Sequence, residues 1–239
     1  CEADETLLRM IADAKVGDAR GLTIFDARPK LNAVANRGKG GGYEDTSAQG
    51  GYNEHTIVFL DIGNIHKMRE LLVGLSNELA SLNTSNIGEA TRAGWGSGPS
   101  GGAARAWLDC QAQILDGAAQ IRDCLLAGRS CLIHCTDGWD RTPQLSATAQ
   151  LLVDGYYRTI DGFVALVQRE WLDFGHTFAK RMHFHEDYGH GSADASVRER
   201  SRSPESDEQP NAEESSEFSP IFLQWIETVW QLLIQFPEA

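Results

Sequence analysis

The feature that most constrains this chain is the stretch Cys131–Thr142, which reads CLIHCTDGWDRT. Its apolar start has the length of a buried strand, and the pattern after Thr142 is typical of a helix. A tight loop between a strand and a helix turns backbone amides and the positive end of the helix dipole toward one point. The sequence therefore predicts a cradle for an anion such as phosphate.

A cysteine and an arginine at the two ends of this loop supply the chemistry. The field of the loop favours the thiolate of Cys135, which is the nucleophilic form of the side chain. Arg141, six positions on, can grip two phosphoryl oxygens with its planar guanidinium. Thr142 can donate its hydroxyl to the thiolate as the thiolate leaves a phosphoenzyme. The pattern predicts a cysteine-dependent phosphatase, because a buried structural thiol would not require these neighbours.

The interior of the loop is typical of one family of such enzymes. His134–Thr142, HCTDGWDRT, resembles the active-site loop of the myotubularin family of phosphoinositide 3-phosphatases, in which serine is usual where this chain has Thr136. Further resemblances lie in RPKLNAVANRGKGGGYE (28–44), IGNIHKMR (62–69), WLDFGHTFAKR (171–181) and SPIFLQWIETVWQL (219–232). Together they extend, with gaps, from about Phe25 to Phe236.

The resemblance implies a fold and a reaction. The fold would be the α/β fold of cysteine-dependent phosphatases, with a central mixed sheet flanked by helices. The reaction would remove the 3-phosphate from phosphatidylinositol 3-phosphate through a cysteinyl-phosphate intermediate, with the 3,5-bisphosphate as a second candidate substrate. No cofactor or metal is expected, although His183, His185 and His190 lie close together in the sequence.

The resemblance also implies roles for individual residues. The catalytic residues would be Cys135, Arg141 and Asp140, with Asp140 as the general acid and Asp137 as the alternative acid. The substrate-binding residues would be Asn36, Asn64, Ile65, Thr136, Asp137, Gly138, Trp139 and Arg181. Thr177, four positions before Arg181, stands where the family usually has a basic residue, which leaves recognition of a second ring phosphate open. Both asparagines are explained equally well as turn or cap residues.

Apolar periodicity places these segments on alternating strands and helices. We expect strands at about 22–25, 56–62 and 130–134, and helices at about 5–14, from 65, at 105–128 and at 142–157. Asp161 is expected to cap the next helix, and Ser219 the last one, with Pro220 as its first residue. The apolar stripe of that last helix is expected to be core: Phe222, Trp225, Ile226, Val229, Trp230 and Leu233.

Composition and charge limit the partners and the compartment. The 239 residues are 41% hydrophobic and 23% charged, as in soluble globular proteins, and the net charge of −13 argues against nucleic acid as a partner. No apolar run approaches the roughly 20 residues that span a bilayer. Five cysteines without metal-site spacing favour a reducing compartment. We therefore expect a cytoplasmic protein, and the family resemblance implies that it associates peripherally with endosomal or other internal membranes.

The expected organisation is one partial phosphatase domain over residues 1–239, with a disordered acidic insert at about 191–217. Family members usually have a lipid-binding module before this domain and continue beyond the position of Pro237, so we expect a piece of a longer protein. The partners that the resemblance implies are a phosphoinositide head group at a membrane surface and homo- or hetero-oligomers with other myotubularins.

Two other functions remain open at this stage. A protein tyrosine or dual-specificity phosphatase would share the loop chemistry, although generic tyrosine phosphatases do not carry Asp137, Trp139 and Asp140. A catalytically weak family member could act as an adaptor, although such proteins lose the cysteine or the arginine, and both are present here. A side-by-side assay on a phosphopeptide and on the lipid separates these functions.

Overall fold

The computed structural model describes residues 2–14, 21–39, 41–81, 102–182 and 217–238, which form helices around a small parallel sheet. The strands are β1 (Thr23–Asp26), β2 (Thr56–Phe59) and β3 (Cys131–His134). The longer helices are α1 (Glu2–Asp13), α3 (Ile65–Ser81), α4 (Gly102–Leu126), α5 (Arg141–Val153) and α8 (Ile221–Gln235). The shorter ones are α2 (Lys30–Ala35), α6 (Ile160–Val167) and α7 (Phe178–Met182). The predicted α/β class is confirmed.

The three strands run in the order β2-β1-β3, and both pairings are parallel. The prediction of a mixed sheet is therefore wrong for the described residues. The connections explain this, because α2 lies between β1 and β2, and α3 and α4 lie between β2 and β3. Such crossovers carry the chain back to the end of the sheet at which the previous strand began, so the next strand runs in the same direction. A hairpin would have reversed the strand direction.

The parallel arrangement gathers three chain segments at one edge of the sheet. Asp26, Phe59 and His134 end their strands there, and β1 pairs with both neighbours in register. The chain leaves β1 toward β2 on one side and later reaches β3 on the other side. Such a switch between neighbouring strands is where open α/β sheets usually bind their ligands. We therefore expect a ligand site among the segments that follow β1, β2 and β3.

A first apolar cluster fixes the loop after β3 by packing α4 and α5 against the sheet. Its buried members include Phe25, Leu60, Ile114 and Leu145, together with Cys135, the first residue after β3. Gly117 permits this close contact, because a Cβ there would lie 2.8 Å from Cδ2 of Leu145. Ordinary contacts between carbon atoms are about 3.5–4.0 Å. A larger residue at this position would force the side chain of Leu145 to move.

A second apolar cluster joins α3, α6 and α8 to the far side of α5. Trp171 and Trp225 are fully buried in it, with ring centroids 5.1 Å apart. The core prediction for α8 is confirmed at Trp225, but Trp230 and Leu233 are each 57% exposed, so it is wrong for these two. Within the described residues, no helix is long and apolar enough to cross a bilayer.

Two predicted helix starts are wrong by one or two residues. Thr159, not Asp161, caps α6 by accepting a hydrogen bond from the amide of Gly162. Pro220 is the cap residue of α8, and the hydroxyl of Ser219 instead donates to the carbonyl of Ile65 over 2.9 Å. That bond ties the start of α8 to the start of α3.

Three further expectations concern the helix after the loop, the three histidines and the acidic insert. The helix predicted to reach Tyr157 ends at Val153, and a 3₁₀ turn follows at Gly155–Arg158. The three histidines considered as a metal cluster, and residues 191–216 of the predicted insert, lie outside the described residues. Glu217, the last residue of that predicted insert, is described and contacts the site.

Candidate active site

The loop from Cys135 to Asp140 joins β3 directly to the first turn of α5, as the sequence predicts. Gly138 adopts a φ of 86°, which side chains with a Cβ rarely tolerate. A Cβ at this glycine would meet nothing within 4 Å, so the backbone conformation, not lack of space, requires glycine here. This conformation lets the amide of Gly138 donate to Sγ of Cys135 over 3.3 Å.

The surroundings of Cys135 favour its thiolate. The residue is only 6% exposed, and burial raises the pKa of its thiol. The hydroxyl of Thr142, the charge of Arg141 and the amides of Gly138 and Thr142 act in the opposite direction and lower the pKa overall. The Thr142 hydroxyl is buried and has no other hydrogen-bond partner among the described residues. The predicted nucleophile therefore has the electrostatic environment that its chemistry needs.

Arg141 is held in place by groups that carry no charge. Its Nη1 donates to the carbonyl of Ile62 over 3.3 Å, and its Nη2 donates to the hydroxyl of Thr136 over 3.2 Å. The residue is 8% exposed and lines the cavity described below. Because its hydrogen-bond partners are neutral, its positive charge can act on the Cys135 thiolate and on an anion in the cavity.

Asp140 begins α5 but does not use its carboxylate to cap the helix. Instead, Oδ1 accepts from Nε of Arg181 over 3.1 Å, and Oδ2 accepts from Nη2 over 3.0 Å. Nδ1 of His176 lies 3.2 Å from Oδ1. Burial raises the pKa of Asp140, but the hydrogen bonds from His176 and Arg181 and their charge lower it overall. In the free protein Asp140 is therefore a carboxylate.

Arg181 has a second acidic partner. Its Nη1 donates to the carbonyl oxygen of Glu217 over 2.9 Å and to Oε2 of that residue over 3.0 Å. Burial lowers the pKa of Arg181, but the hydrogen bonds and charges of Asp140 and Glu217 raise it overall. Thr177 precedes α7, and its carbonyl accepts from the amide of Arg181. This segment therefore offers one arginine to the cavity, and that arginine is paired.

Two more charged pairs lie next to the loop. Arg28 and Asp26 form a buried bidentate pair, in which Nη2 is 2.7 Å from Oδ2. His134 and Glu44 approach to 3.2 Å. Burial lowers the pKa of His134, but Glu44 raises it overall; burial raises the pKa of Glu44, but His134 lowers it overall. Sequence reasoning missed both pairs, although Arg28 and Glu44 lie in a segment that carries the family resemblance.

A cavity of about 340 Å³ opens at the carboxyl edge of the sheet, which is large enough for a small ligand. The predicted site residues that line it are Asn36, Asn64, Ile65, Thr136, Asp137, Asp140, Arg141 and Arg181. Gly138 and Trp139 belong to the loop without lining the cavity, and Cys135 lies buried at the start of the loop. The lining residues that sequence reasoning did not single out are Arg28, Asn32, Ala35 and His66.

Asn64 illustrates how a structural role and a site position coincide. Its Oδ1 accepts from the amide of Lys67 over 3.1 Å, so it caps the start of α3. The same residue lines the cavity. The two interpretations that the sequence left open are therefore compatible.

The arrangement can hold an oxyanion beside a thiolate. The start of α5, the loop amides and Arg141 supply positive potential, and Cys135 supplies a nucleophile. Within the described part of the chain, no group of three histidine, cysteine, aspartate or glutamate side chains is arranged to hold a metal ion. The chemistry that these residues support is transfer of a phosphoryl group to sulfur.

Comparisons with known proteins bear on this site. A family model described as myotubularin-like phosphatase domain matches residues 1–239. Myotubularin of Xenopus tropicalis is 42% identical over 237 residues, which cover 99% of this chain and 33% of that protein. The phosphatidylinositol-3,5-bisphosphate 3-phosphatase MTMR2 is 43% identical in Bos taurus and 42% identical in Gallus gallus, again over 99% of this chain. The chain spans about a third of the length of the curated relatives it matches.

Proposed function

The chain belongs to the myotubularin-like phosphatase family, and from that premise we propose that it removes the 3-phosphate of phosphatidylinositol 3-phosphate. The 3,5-bisphosphate is the second candidate substrate, because the relative MTMR2 is named as a phosphatase of that lipid. The observation that carries the proposal is a thiolate at Cys135 beside Arg141, whose hydrogen-bond partners are a carbonyl and a hydroxyl and not carboxylates. The cavity beside them has room for a phosphorylated inositol ring.

The proposed first step transfers the phosphoryl group to sulfur. Sγ of Cys135 forms a bond to phosphorus while the bond between phosphorus and the ring oxygen breaks. Arg141 and the amides of residues 136–140 bind the equatorial oxygens, where charge is spread in the transition state. The ring oxygen leaves with the bonding electron pair and takes a proton from Asp140, which acts as the general acid.

The second step restores the enzyme. A water molecule attacks phosphorus, the bond between sulfur and phosphorus breaks, and its electron pair returns to Cys135 as a thiolate. The Thr142 hydroxyl stabilises that thiolate, and the water proton returns to Asp140. The products are the dephosphorylated lipid and inorganic phosphate.

The protonation of Asp140 belongs to the substrate complex in this proposal. In the free protein the pKa of Asp140 is lowered, chiefly because the contacts with His176 and Arg181 outweigh the effect of burial. A bound phosphate brings negative charge beside the carboxylate and competes with it for Arg181, which raises the pKa. Asp137, which is exposed and lines the cavity, is the alternative acid.

The membrane setting is also a proposal. The phosphoinositide head group would be presented at the surface of an internal membrane that faces the cytoplasm. The net charge of −13 opposes binding to an anionic bilayer, so recruitment would depend on other parts of the protein or on a partner. An oligomer with other family members would be one such partner.

The experiment that tests the proposed function is release of phosphate by the purified chain, with Cys135→Ser as the control. Three substrates are compared: phosphatidylinositol 3-phosphate, the 3,5-bisphosphate and a phosphotyrosine peptide. We expect release from the lipids that is at least about 100-fold faster in the wild type than in Cys135→Ser, because the serine hydroxyl is a poor nucleophile at neutral pH. Faster release from the peptide than from either lipid would favour a protein phosphatase. A folded chain that acts on none of the three would favour an adaptor.

The same assay separates the two candidate acids. Single-turnover formation of the phosphoenzyme should slow more in Asp140→Asn than in Asp137→Asn, by about 100-fold, since general acids contribute about that much. The reverse order would exchange their roles.

A further inference from the structure

We infer that His176 is a positioning residue for the reaction: it fixes the Trp139–Asp140 peptide and the Asp140 carboxylate in the phosphate-binding loop. The inference deepens the proposed function and rests on it. His176 lies 36 positions after Asp140 in the chain, in the turn between a π-helical segment, Gln168–Asp173, and α7. It does not line the cavity, so any effect on the chemistry must act through the loop.

One ring nitrogen of His176 contacts two groups of the loop. Nδ1 lies 2.7 Å from the carbonyl oxygen of Trp139 and 3.2 Å from Oδ1 of Asp140. A carbonyl oxygen can only accept a hydrogen bond, so Nδ1 carries a proton and donates it. The Nε2 atom is buried without a partner among the described residues. The contacts therefore place a proton on Nδ1, which is the atom that faces the loop.

The ring of His176 is held rigidly, so it can act as a fixed reference for the loop. It is fully buried and stands edge-on to Trp171 and Phe178, with centroid distances of 4.9 and 4.7 Å. Its own amide donates to the carbonyl of Trp171 over 3.0 Å. Gly175, with a φ of 82°, turns the chain just before it. Backbone and side chain are thus both anchored in the second apolar cluster.

The two contacts act on different parts of the loop. The bond to the Trp139 carbonyl sets the plane of the next peptide bond, and in a trans peptide the amide of Asp140 points the opposite way. That amide is one of those assigned to the phosphate oxygens. The bond to Oδ1 sets the carboxylate, which Arg181 holds from another direction. His176 thus supports an amide donor and the general acid with a single N–H group.

Two amide substitutions separate positioning from packing. In His176→Asn the side-chain nitrogen occupies the position of Nδ1, and in His176→Gln it lies one bond farther out, where Nε2 was. Glutamine is closer to histidine in volume, so a residue that only fills space should tolerate glutamine better. A residue that positions the loop through Nδ1 should tolerate asparagine better.

The expected result is a loss of kcat in His176→Gln of about 10- to 100-fold, as small misplacements in a site can produce, with KM changed by less than about threefold. His176→Asn should stay within about fivefold of the wild type. Equal losses in both variants, or a more active glutamine variant, would overturn the inference. If His176→Gln does not fold, His176→Phe takes its place, because it keeps the ring contacts and lacks the donor.

A readout besides activity keeps this test separate from the proposed function. Hydrogen exchange of the peptide covering residues 135–141 should be faster in His176→Gln than in the wild type, and unchanged in His176→Asn. If the wild type hydrolyses none of the lipids, the proposed function fails, and the exchange comparison still decides whether His176 positions the loop. Equal exchange in the wild type and both variants would reject the positioning role.

Discussion

Two arginines reach the same cavity, and their surroundings differ in one respect. Arg141 and Arg181 are similarly buried, at 8% and 3% exposure. The described hydrogen bonds of the Arg141 guanidinium go to a carbonyl and a hydroxyl, which are neutral. Those of Arg181 go to two carboxylates, of Asp140 and Glu217, and to one carbonyl. The two arginines are thus similarly buried, but the hydrogen-bond partners of Arg141 are neutral and those of Arg181 include two carboxylates.

The difference indicates a division of labour within the site. A buried guanidinium with neutral partners keeps a charge that a phosphoryl group can use in the transition state. A buried guanidinium between two carboxylates is largely neutralised and holds chain segments together. Arg181 in α7 thereby joins the loop before α5, through Asp140, to the segment before α8, through Glu217. Arg141 should therefore matter mostly for rate, and Arg181 mostly for stability.

The largest expected effect is on activity at Arg141. Arg141→Lys keeps the positive charge but loses the planar fork, so kcat/KM should fall about 1000-fold, as expected for loss of a bidentate transition-state contact. The free energy of unfolding should change by only about 1 kcal/mol, since only hydrogen bonds to neutral groups are lost. Kinetics on phosphatidylinositol 3-phosphate and urea unfolding measure the two quantities. If Arg141→Lys lowered the free energy of unfolding by as much as it raised the activation free energy, Arg141 would be a structural residue like Arg181.

The position of Arg141 in a phosphate-binding loop could be predicted from the sequence because the information is local. The strand, the loop and the helix lie within one continuous stretch, and the spacing from Cys135 to Arg141 is readable without knowing the fold. The parallel sheet was not readable in this way. The direction in which a strand pairs depends on the connection that precedes it, and that connection involves helices far from the strand's own residues.

The surroundings of Arg181 depend on contacts between residues that are far apart in the sequence, and apolar periodicity does not indicate such contacts. Arg181 meets Asp140 across 41 positions, and His134 meets Glu44 across 90. The family resemblance assigned Arg181 to the substrate but did not reveal its two acidic partners. In α8 the apolar stripe correctly marks Trp225 as core, whereas a stripe does not specify which of its members a neighbouring element covers. Trp230 shows this, because it lies on the stripe and is exposed.

An intermediate effect is expected on stability at Arg181. Arg181→Met leaves the buried carboxylate of Asp140 without its arginine, so that His176 is its remaining side-chain partner among the described residues, and the free energy of unfolding at pH 7 should fall by about 3 kcal/mol. The loss should shrink in acid. The pKa of Asp140 is lowered in the wild-type fold, so the stabilisation is complete above the unfolded value of about 3.9 and disappears as the pH falls through the folded value.

Urea unfolding of the wild type and Arg181→Met between pH 7 and pH 3 measures this convergence. Asp140→Asn serves as the matched control, because it removes the titrating group and should give a stability difference from the wild type that also narrows in acid. A gap between wild type and Arg181→Met that stays constant or widens as the pH falls would show that Asp140 is not the group that Arg181 stabilises.

The smallest expected effect sharpens the comparison most, because it changes the state of Arg181 without removing it. Glu217 is partly exposed, so its ion pair contributes at most about 1 kcal/mol, and Glu217→Gln should leave stability nearly unchanged. It does remove one of the two negative charges on Arg181. If Arg181 contacts a second ring phosphate, the ratio of kcat/KM for the 3,5-bisphosphate to that for the 3-phosphate should rise about threefold, which corresponds to a fraction of 1 kcal/mol. The ratio cancels any general change in activity between preparations. An unchanged ratio would mean that Arg181 remains a structural residue even when half of its neutralising charge is gone, and that the charge of the second subsite comes from elsewhere.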